Sequence, residues 1–591
     1  MLSVKIALSI TLAISLLLTG CAPVPVENAD KDVNDVVKPI EYDPANETEV
    51  SELIHVNQIG YRPSDRKIAA INGHSGSFQL IRYSDGEIVF EGNTSTEAIN
   101  DASTGDTVFF ADFSEFQEQG RYFLSVEGVG RSHDFLIDTY VYRDLTDALL
   151  KFMYFQRCGV ELLPTHAGAW ARQACHLNDG YVLAETEYFK ETIGGWHDAG
   201  DFGKYTVPKA VTLAGLLMAY EFFPSAFEHD LNIPESGNNI PDILDESMFA
   251  LDWLLKMQDE QTGGVHHKLS TKNFPGFIMP HADHARRYIT PVSPTATGTF
   301  AAIMALASRI YADIDNEFAK EALKAAESAW QWLVSNPDAP NYVNPPGVNT
   351  GEYGDWNNAD ERYWAAVELY RTTGESKYHE FVLANHNTGN FEKFELGWQS
   401  VAGFGSISYL FMDDTKQNEG LSLQLKNELI LDAEHFVRMS GFNGYRISLS
   451  QDDYFWGSNM LVMNRAIHLI VAYLLKPNDE FAQTAHDHLH YLLGRNALSQ
   501  SFVTGFGGNP IMNPHHRPSG ADTVKDPVPG MVAGGPNSRL QDPTAQQMLT
   551  VGMPPARAFV DHEGSWSTNE VTTYWNSPAV FVSAFFSKNN Q

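Results

Sequence analysis

The stretch from Asp242 to Met257 reads DILDESMFALDWLLKM and decides the fold class of the larger part of the chain. Its apolar residues recur at helical spacing: Ile243, Leu244, Met248, Leu251, Leu254 and Leu255. Similar stripes follow at 299–310, 323–333, 363–369, 429–437, 460–475 and 481–493. Roughly twelve such segments, in loose pairs, run from about residue 140 to the C-terminus. Long irregular stretches, including 338–358 and 503–545, lie between them. This pattern predicts an α/α barrel with a cleft, although another helical array has the same periodicity.

The preceding part of the chain has a β pattern. Short apolar runs at 67–71, 78–81 and 122–126 alternate with Gly, Asp and Ser turns. About seven or eight short strands in this region indicate an antiparallel sandwich of immunoglobulin type. We therefore predict a small all-β domain at 53–138 and a helical domain at 139–591.

The N-terminus has the pattern of an export signal. Lys5 precedes an apolar run, 6–18, which is too short to span a bilayer as a permanent helix. The run ends in Leu-Thr-Gly-Cys at 18–21, which resembles a bacterial lipoprotein cleavage site, with an ordinary cleaved signal as the alternative. We expect a signal peptide at 1–20, lipid on Cys21, and an acidic, proline-containing disordered tether at 21–52. Ala22, directly after the cysteine, resembles the signal that directs lipoproteins to the outer membrane. We therefore expect the protein to be anchored in the outer membrane, with the lipid as its only membrane contact.

The charge of the chain excludes one class of partner. Its 591 residues include 40 basic and 74 acidic side chains, which give a net charge of −34. Nucleic acid is therefore not an expected partner, because phosphate binding needs a basic surface. We expect an exported globular monomer.

The first chemical cluster is GGWHDAGD at 194–201. Asp198 and Asp201 lie just before a helical pattern, and the small residues between them allow a sharp turn. Two close carboxylates can hold and deprotonate one water molecule. The alternative is that one of the two aspartates caps the helix.

The second cluster lies near the C-terminus, where Asp561, Trp566 and Glu570 precede Asn576 and Ser577. An acid among aromatic residues tends to have a raised pKa, which a general acid needs near neutral pH. The alternative places Glu570 in the first turn of the last helix, where the helix dipole would stabilise its negative charge.

The third cluster is a Gly- and Pro-rich loop that ends in His515, His516 and Arg517. These side chains can donate hydrogen bonds to sugar hydroxyls. A phosphate site, a carboxylate site or a salt bridge would fit the same residues.

Taken together, the three clusters resemble glycoside hydrolase family 9, the large cellulase family, over nearly the whole chain from about Ile54. The segment VNQIGY at 56–61 resembles the opening of the immunoglobulin-like domain that precedes many of its catalytic domains. The resemblance implies an (α/α)6 barrel and an inverting hydrolase of β-1,4-glucans. Its two catalytic carboxyl groups should then lie about 6.5–9.5 Å apart.

The resemblance also implies residue roles. Glu570 is the general acid and Asp201 the general base, while Asp198 positions the water. His515 and Arg517 bind the sugar beside the cleavage point, and Asp561 supports the site. The aromatic candidates for stacking on sugar are Tyr353, Trp356, Trp398 and Trp456, with His516 as a further contact. Each of these rings could equally belong to the core.

Two structural metals are expected. Cys158, Cys175, His176 and His197 supply the usual tetrahedral zinc set, and relatives with this domain layout carry similar sites. A Cys158–Cys175 disulfide is the alternative. For calcium, which relatives carry in an equivalent loop, the candidates are Thr350, Gly351, Asp355, Asp360 and Glu361, with helix capping before Tyr363 as the alternative.

The leading functional prediction is an endo-1,4-β-glucanase acting on cellulose-like or mixed-linkage glucans. One alternative is an exo-acting β-glucosidase or glucosaminidase on oligosaccharides. The other is a sugar-binding lipoprotein without catalysis, which the presence of both Asp201 and Glu570 disfavours.

Overall fold

The computed structural model describes residues 49–587. The predicted signal peptide, Cys21 and nearly all of the predicted tether lie outside the described residues. The described residues belong to one compact unit that begins at Glu49. It contains a β-sandwich followed by a ring of helices.

The sandwich has ten short strands in two sheets. They are β1 Ile54–His55, β2 Gly60–Tyr61, β3 Ile68–Asn72, β4 Ser77–Arg82, β5 Ile88–Asn93, β6 Ile99–Asp101, β7 Asp106–Asp112, β8 Gly120–Val126, β9 Gly130–Arg131 and β10 Phe135–Ile137. One sheet has the order β1-β3-β7-β6, and the other has the order β2-β10-β8-β4-β5 with β9 beside β8. Neighbouring strands are antiparallel except β2 and β10.

The core of the sandwich follows from alternating side chains. In β8 the residues Tyr122, Leu124 and Val126 are buried, whereas those between them are partly exposed. Tyr61 makes edge-on contacts with Phe113 and Phe135 in this core. The prediction of an immunoglobulin-like sandwich is confirmed, with a few more strands than expected.

Twelve of the described helices have nine residues or more. They are α1 Arg143–Phe155, α3 Thr206–Phe222, α4 Asp242–Met257, α5 Pro294–Tyr311, α6 Asn316–Ser335, α7 Ala359–Thr373, α8 Ser376–Asn385, α9 Ala402–Leu410, α10 Glu419–Gly441, α11 Ser458–Leu475, α12 Asp479–Leu492 and α16 Thr573–Ser587. Four shorter helices are α2 Pro164–Ala167, α13 Arg517–Ala521, α14 Pro543–Met548 and α15 Trp566–Asn569.

The long helices alternate between an outer and an inner position. The inner helices are α3, α5, α7, α9, α11 and α16. Each has one main outer partner, which is α4, α6, α8, α10, α12 and α1 respectively. Inner helices such as α5 are buried on nearly all sides, whereas α6 buries one stripe. The predicted (α/α)6 barrel is confirmed.

Helix α11 has the composition of a membrane-spanning segment. By length and composition alone, Ser458–Leu475 could cross a bilayer. The helix packs against α10, α12 and α16, so its apolar composition reflects a place in the barrel core.

A third sheet, which the sequence did not predict, lies among the barrel loops. Its order is β12-β11-β15-β14-β13, with β11 Tyr181–Val182, β12 Tyr188–Phe189, β13 Lys204–Tyr205, β14 Lys268–Ser270 and β15 Tyr288–Ile289. Strands of two or three residues are too short to show a periodic pattern. β13 begins three residues after the first cluster and leads directly into α3.

The sandwich is joined to the barrel by a buried carboxylate. Asp487 on α12 accepts hydrogen bonds from Arg66 of the sandwich, from Arg495 at 2.7 Å and from Arg446 at 3.1 Å. These three guanidinium groups hold the pKa of Asp487 well below its usual range, although burial opposes them. The carboxylate is therefore ionised whenever the protein is folded near neutral pH.

We expect Asp487→Asn to lower the free energy of unfolding by about 3–5 kcal/mol, because it leaves buried arginines without their anion. Since the folded pKa is depressed, this stabilisation is present above the unfolded pKa of about 4 and is lost as pH falls below it. Urea unfolding at pH 7 measures the first effect, and a series from about pH 4 down to about pH 2 measures the second. Arg82→Ala, which breaks an exposed ion pair with Asp85, is the control and should leave the midpoint nearly unchanged. An equal midpoint for both variants would contradict the account.

Candidate active site

The three clusters meet at one place in the barrel. Isolated β-bridges join Ala199 to Thr572 and His515 to Glu570. The backbone N–H of Arg517 donates to the Gly200 carbonyl at 3.0 Å. A Cβ at Gly200 would lie 1.8 Å from the carbonyl oxygen of His515, so only glycine permits this approach. The backbone thus fixes the first and second clusters relative to the third.

Asp201 lines a large cavity beside this junction. Its Oδ2 accepts hydrogen bonds from the Tyr205 hydroxyl at 3.0 Å and from the Gly203 backbone N–H at 3.1 Å. These two donors fix the orientation of the carboxylate. A carboxylate held in this way can accept a proton from a water molecule in the cavity.

Asp198 is fully buried behind Asp201. Its Oδ2 accepts a hydrogen bond of 2.7 Å from Tyr353, and its Oδ1 lies 3.9 Å from Nζ of Lys209. Burial raises the pKa of Asp198 to about 7, while the Lys209 ammonium acts in the opposite direction. The structure therefore places Asp198 where it orients Tyr353, whose ring lines the cavity.

Glu570 faces the same cavity from the second cluster. Burial and the nearby carboxylate of Asp201 raise the pKa of Glu570 well above its usual value, while Arg517 and a hydrogen bond from Trp456 oppose the shift. A carboxyl group that remains protonated toward neutral pH can donate a proton to a leaving group.

The alternative reading of Glu570 as a first-turn residue of the last helix is wrong. Glu570 follows α15 in an extended conformation, and α16 begins three residues later at Thr573. An extended backbone lets residue 570 pair with His515 while residue 571 pairs with Ala533. The side chain is therefore placed by bridges on both sides.

His515 and Arg517 lie at the edge of the junction. Nδ1 of His515 donates to the carbonyl oxygen of Glu563 at 2.5 Å, and burial lowers the pKa of His515 to about 4. With Nδ1 as the donor to Glu563, the neutral ring offers Nε2 as an acceptor, so a sugar hydroxyl would donate to His515. Nε of Arg517 donates to the carbonyl oxygen of Pro275 at 2.9 Å, and the guanidinium lies over Phe274.

Two predicted residues support the loop from behind. His516 is buried against Phe152, with Nε2 3.2 Å from the Gln156 amide oxygen, so its predicted sugar contact is wrong. Asp561 accepts hydrogen bonds from the backbone N–H groups of Met512 and Asn513, both at 2.8 Å, and from the Asn569 side chain at 3.0 Å. It ties the third cluster to the segment before Glu570, which is a supporting role.

The cavity has a volume of about 650 Å³, enough for a ligand with several rings. Its carboxylates are Asp201, Glu352, Glu392, Glu395 and Glu570, and its aromatic residues are Tyr205, Phe274, Tyr353, Phe455, Trp398, Trp456, Tyr574 and Trp575. Three of the four predicted stacking residues line it. The fourth, Trp356, is 90% exposed and does not line it.

The four predicted zinc ligands come together beside the first cluster. Their donor atoms all lie within 4.8 Å of one another. The Sγ of Cys158 lies 3.5 Å from Nδ1 of His176, and Nε2 of His197 lies 3.3 Å from that same Nδ1. These spacings match the edges of a zinc tetrahedron, about 3.3–3.8 Å. Both cysteines are free thiols, and Asp283 lies 3.6 Å from Nε2 of His176, where a supporting carboxylate is usual.

The predicted calcium ligands divide into two groups. Nζ of Lys268 donates to the Gly351 carbonyl at 2.6 Å and to Oγ1 of Thr350 at 3.1 Å. A lysine ammonium therefore takes the place of a cation there, and the prediction for Thr350 and Gly351 is wrong.

The other three predicted calcium ligands remain candidates. Asp355, Asp360 and Glu361 are buried, and neither carboxylate oxygen of Glu361 has a hydrogen-bond partner in the described part of the chain. Asp360 already accepts a hydrogen bond of 2.8 Å from the Val401 backbone N–H. The three carboxylates are not gathered as closely as the zinc candidates.

Sequence reasoning missed three residues at the site: Tyr205, Lys209 and Lys268. The first two could have been suspected only from their closeness to Asp201 in the sequence, since Tyr205 lies on β13 and Lys209 in the first turn of α3. Lys268 gives no such signal, since it reaches the site from a three-residue strand.

Comparison with known proteins agrees with this geometry. Residues 142–583 match the model of glycosyl hydrolase family 9, and residues 49–131 match that of the cellulase N-terminal ig-like domain. Endoglucanase D of Acetivibrio thermocellus is 36% identical over 539 residues, covering 90% of this chain and 83% of that protein. A cellodextrinase of Butyrivibrio fibrisolvens is 35% identical over 545 residues, covering 89% of this chain and 98% of that protein.

A solved structure gives the same result. The crystal structure of a single mutant of the thermostable endoglucanase from Alicyclobacillus acidocaldarius superimposes with a TM-score of 0.85 at 38% identity, covering 91% of this chain and 100% of that one. The chain therefore belongs to glycosyl hydrolase family 9, as a glycoside hydrolase whose catalytic barrel follows an immunoglobulin-like domain.

Proposed function

We propose that this protein hydrolyses internal β-1,4-glucosidic bonds of cellulose-like or mixed-linkage glucans and inverts the anomeric configuration. The observation that carries the proposal is the pair of unlike carboxyl groups on one cavity: Asp201, fixed by two donors, and Glu570, whose pKa is raised by burial. Glu570 donates a proton to the leaving glycosidic oxygen, and Asp201 takes a proton from the attacking water. The named activity of Endoglucanase D supports the endo assignment.

The aromatic walls supply the binding surface in this proposal. The apolar faces of glucose units stack on rings such as Trp398 and Trp456, and the neighbouring carboxylates accept hydrogen bonds from sugar hydroxyls. Trp456 also contacts Trp566 with ring centroids 4.7 Å apart, which keeps its orientation fixed next to Glu570.

Viscosity and reducing-sugar release, measured together on carboxymethyl cellulose and barley β-glucan, test the proposal. We expect viscosity to fall when few new ends have formed. Reducing sugar released without loss of viscosity would instead support the second candidate, exo-acting hydrolysis of oligosaccharides. The cellodextrinase of Butyrivibrio fibrisolvens, which aligns over 98% of its length, favours that candidate.

We also propose that Cys158, Cys175, His176 and His197 hold a structural zinc ion. Four protein ligands leave no open position for substrate, so the ion would brace the loop that leads to Asp198. At a free zinc concentration a thousandfold above Kd, such a site contributes about 4 kcal/mol to stability.

We expect Cys158→Ser to remove zinc from the purified protein and to lower Tm by about 3–4 °C. Elemental analysis and thermal unfolding measure the two effects. Titration of thiols in denaturant without reductant provides the control, because a zinc site releases two thiols and a disulfide releases none. Protein without zinc whose two thiols are not titrated would contradict the proposal.

For calcium, we propose a reduced ligand set of Asp355, Asp360 and Glu361. Burial and Asp360 raise the pKa of Glu361 well above its usual value, a cost that a bound cation would remove. The same elemental analysis measures calcium. Wild type with one calcium ion and Glu361→Gln with none is the expected result, and calcium absent from wild type would contradict it.

We further propose, from the sequence alone, that lipid on Cys21 anchors the enzyme to the outer membrane. Cys21→Ser should then move the protein from the membrane fraction to the soluble fraction. Wild type found in the soluble fraction would contradict this proposal.

A further inference from the structure

The small sheet among the barrel loops carries a ladder of aromatic side chains. Tyr288 on β15 pairs directly with Tyr181 on β11, and Tyr181 pairs directly with Phe189 on β12. Directly paired residues of neighbouring strands point to the same face of a sheet. The three rings therefore lie side by side on one face.

The ladder lies beside the mouth of the catalytic cavity. Phe274, which lines the cavity, is 46% exposed and follows Lys272 by two residues, and Nζ of Lys272 lies 4.7 Å from the centroid of Tyr288. Within the sheet, Lys268 and Ser270 separate Tyr205 from Tyr288 on the same face, but both are buried beneath Thr350. Phe274 and Lys272 therefore connect the cavity to the ladder at the surface. The ladder from Tyr288 to Phe189 spans two strand spacings, about 10 Å.

The three rings of the ladder are partly or fully exposed, whereas the residues behind them on the opposite face are mostly buried. Phe189 is 51% exposed, and Tyr181 and Tyr288 are half-buried. On the opposite face Val182, Leu269 and Ile289 are buried, and only Tyr188 at the edge is exposed. Packing of the core therefore accounts for the opposite face but leaves the ladder unexplained.

Hydrogen-bonding groups accompany the rings. The guanidinium of Arg286 lies 4.0 Å from the Tyr181 ring centroid and pairs with Glu187 at 3.0 Å. Nζ of Lys272 lies 4.7 Å from the centroid of Tyr288. Aromatic rings beside exposed donors and a carboxylate suit a ligand with both apolar faces and hydroxyl groups, as a sugar chain has.

We propose that the Tyr288–Tyr181–Phe189 ladder binds glucose units of a β-1,4-glucan chain that extends out of the cavity, remote from the bond being cut. The inference rests on the proposed function, since the occupant is the polymer that the cavity cleaves. The position of the ladder beside Phe274, at the edge of the cavity, favours this occupant over an unrelated protein surface. The ladder increases affinity for long chains and leaves the chemistry at Glu570 unchanged.

Phe189→Ala tests the proposal against a matched control, Tyr188→Ala. The two residues are adjacent and about equally exposed, at 51% and 50%, but they point to opposite faces of the sheet. We expect Phe189→Ala to raise KM for barley β-glucan about 3–10-fold and to weaken retardation in native gels that contain the polymer. The kcat of Phe189→Ala on β-glucan and its KM for cellotetraose should not change. Tyr188→Ala should change none of these values.

Equal behaviour of the two variants on β-glucan would overturn the proposal, and so would a parallel loss on cellotetraose, since that would indicate a disturbed cavity. Tm measured for both variants identifies any loss of folding, and Arg286→Ala provides a second test on the same face. Wild type that cuts no β-1,4-glucan would overturn the proposed function and this inference with it. Wild type that cuts β-glucan but shows no difference between the variants would overturn this inference alone.

Discussion

Replacing Glu570 by Gln is expected to lower kcat on barley β-glucan by about 10²–10⁴-fold, the usual contribution of a general acid. Gln has the same shape but carries no acidic proton, so the leaving oxygen would depart without protonation. The raised pKa of Glu570 also means that wild-type activity should decline as pH rises through that pKa, because the proton is then lost.

An activated substrate separates the acid role from a structural one. A dinitrophenyl β-cellobioside has a leaving group that needs no proton, so Glu570→Gln should cut it at a rate near that of wild type, without the decline at high pH. Glu395→Gln, another cavity carboxyl whose pKa is raised by burial, is the matched control. We expect it to lose less than about tenfold on β-glucan. If Glu395→Gln lost more activity than Glu570→Gln, the assignment of Glu570 as the general acid would be wrong.

Asp201→Asn is expected to lower kcat by a similar factor, about 10²–10⁴-fold, on both β-glucan and the dinitrophenyl substrate. Attack by water is required whatever the leaving group, so activation of the leaving group does not compensate for a lost base. Asn still accepts hydrogen bonds from Tyr205 and Gly203 through its amide oxygen, which preserves the local geometry.

Stopped assays on both substrates, with Tm measured for each variant, check this result. The two substrates together distinguish the roles: Glu570→Gln is rescued by the activated leaving group, and Asp201→Asn is not. Normal hydrolysis of the dinitrophenyl substrate by Asp201→Asn would remove Asp201 from the base role.

The helices were predictable because they are long and periodic, whereas the six-pair barrel came from the family resemblance. The stripe at Asp242–Met257 coincides with α4 in both bounds. The small sheet was missed because strands such as Lys204–Tyr205 are too short for any pattern. It nevertheless supplies Tyr205, which lines the cavity, and Lys268, which holds Thr350 and Gly351 in place.

Residue types at the site were predictable, whereas their contacts were not. Glu570 could be placed near aromatic residues, but its extended backbone depends on bridges to His515 and Ala533, which are distant in sequence. The oxygens of Thr350 and Gly351 look like calcium ligands until Lys268 is found to occupy them. Nothing in the local sequence reveals that a lysine from another strand donates to those oxygens.

The central claim is that Asp201 and Glu570 hydrolyse β-1,4-glucan with inversion, and the configuration of the first product tests it most directly. Proton NMR during hydrolysis of cellohexaose follows the anomeric protons at newly formed reducing ends. Inversion predicts that the α-anomer forms first and then equilibrates with the β-anomer. Initial formation of the β-anomer would mean that the two carboxyl groups work through a covalent intermediate, which would contradict the account.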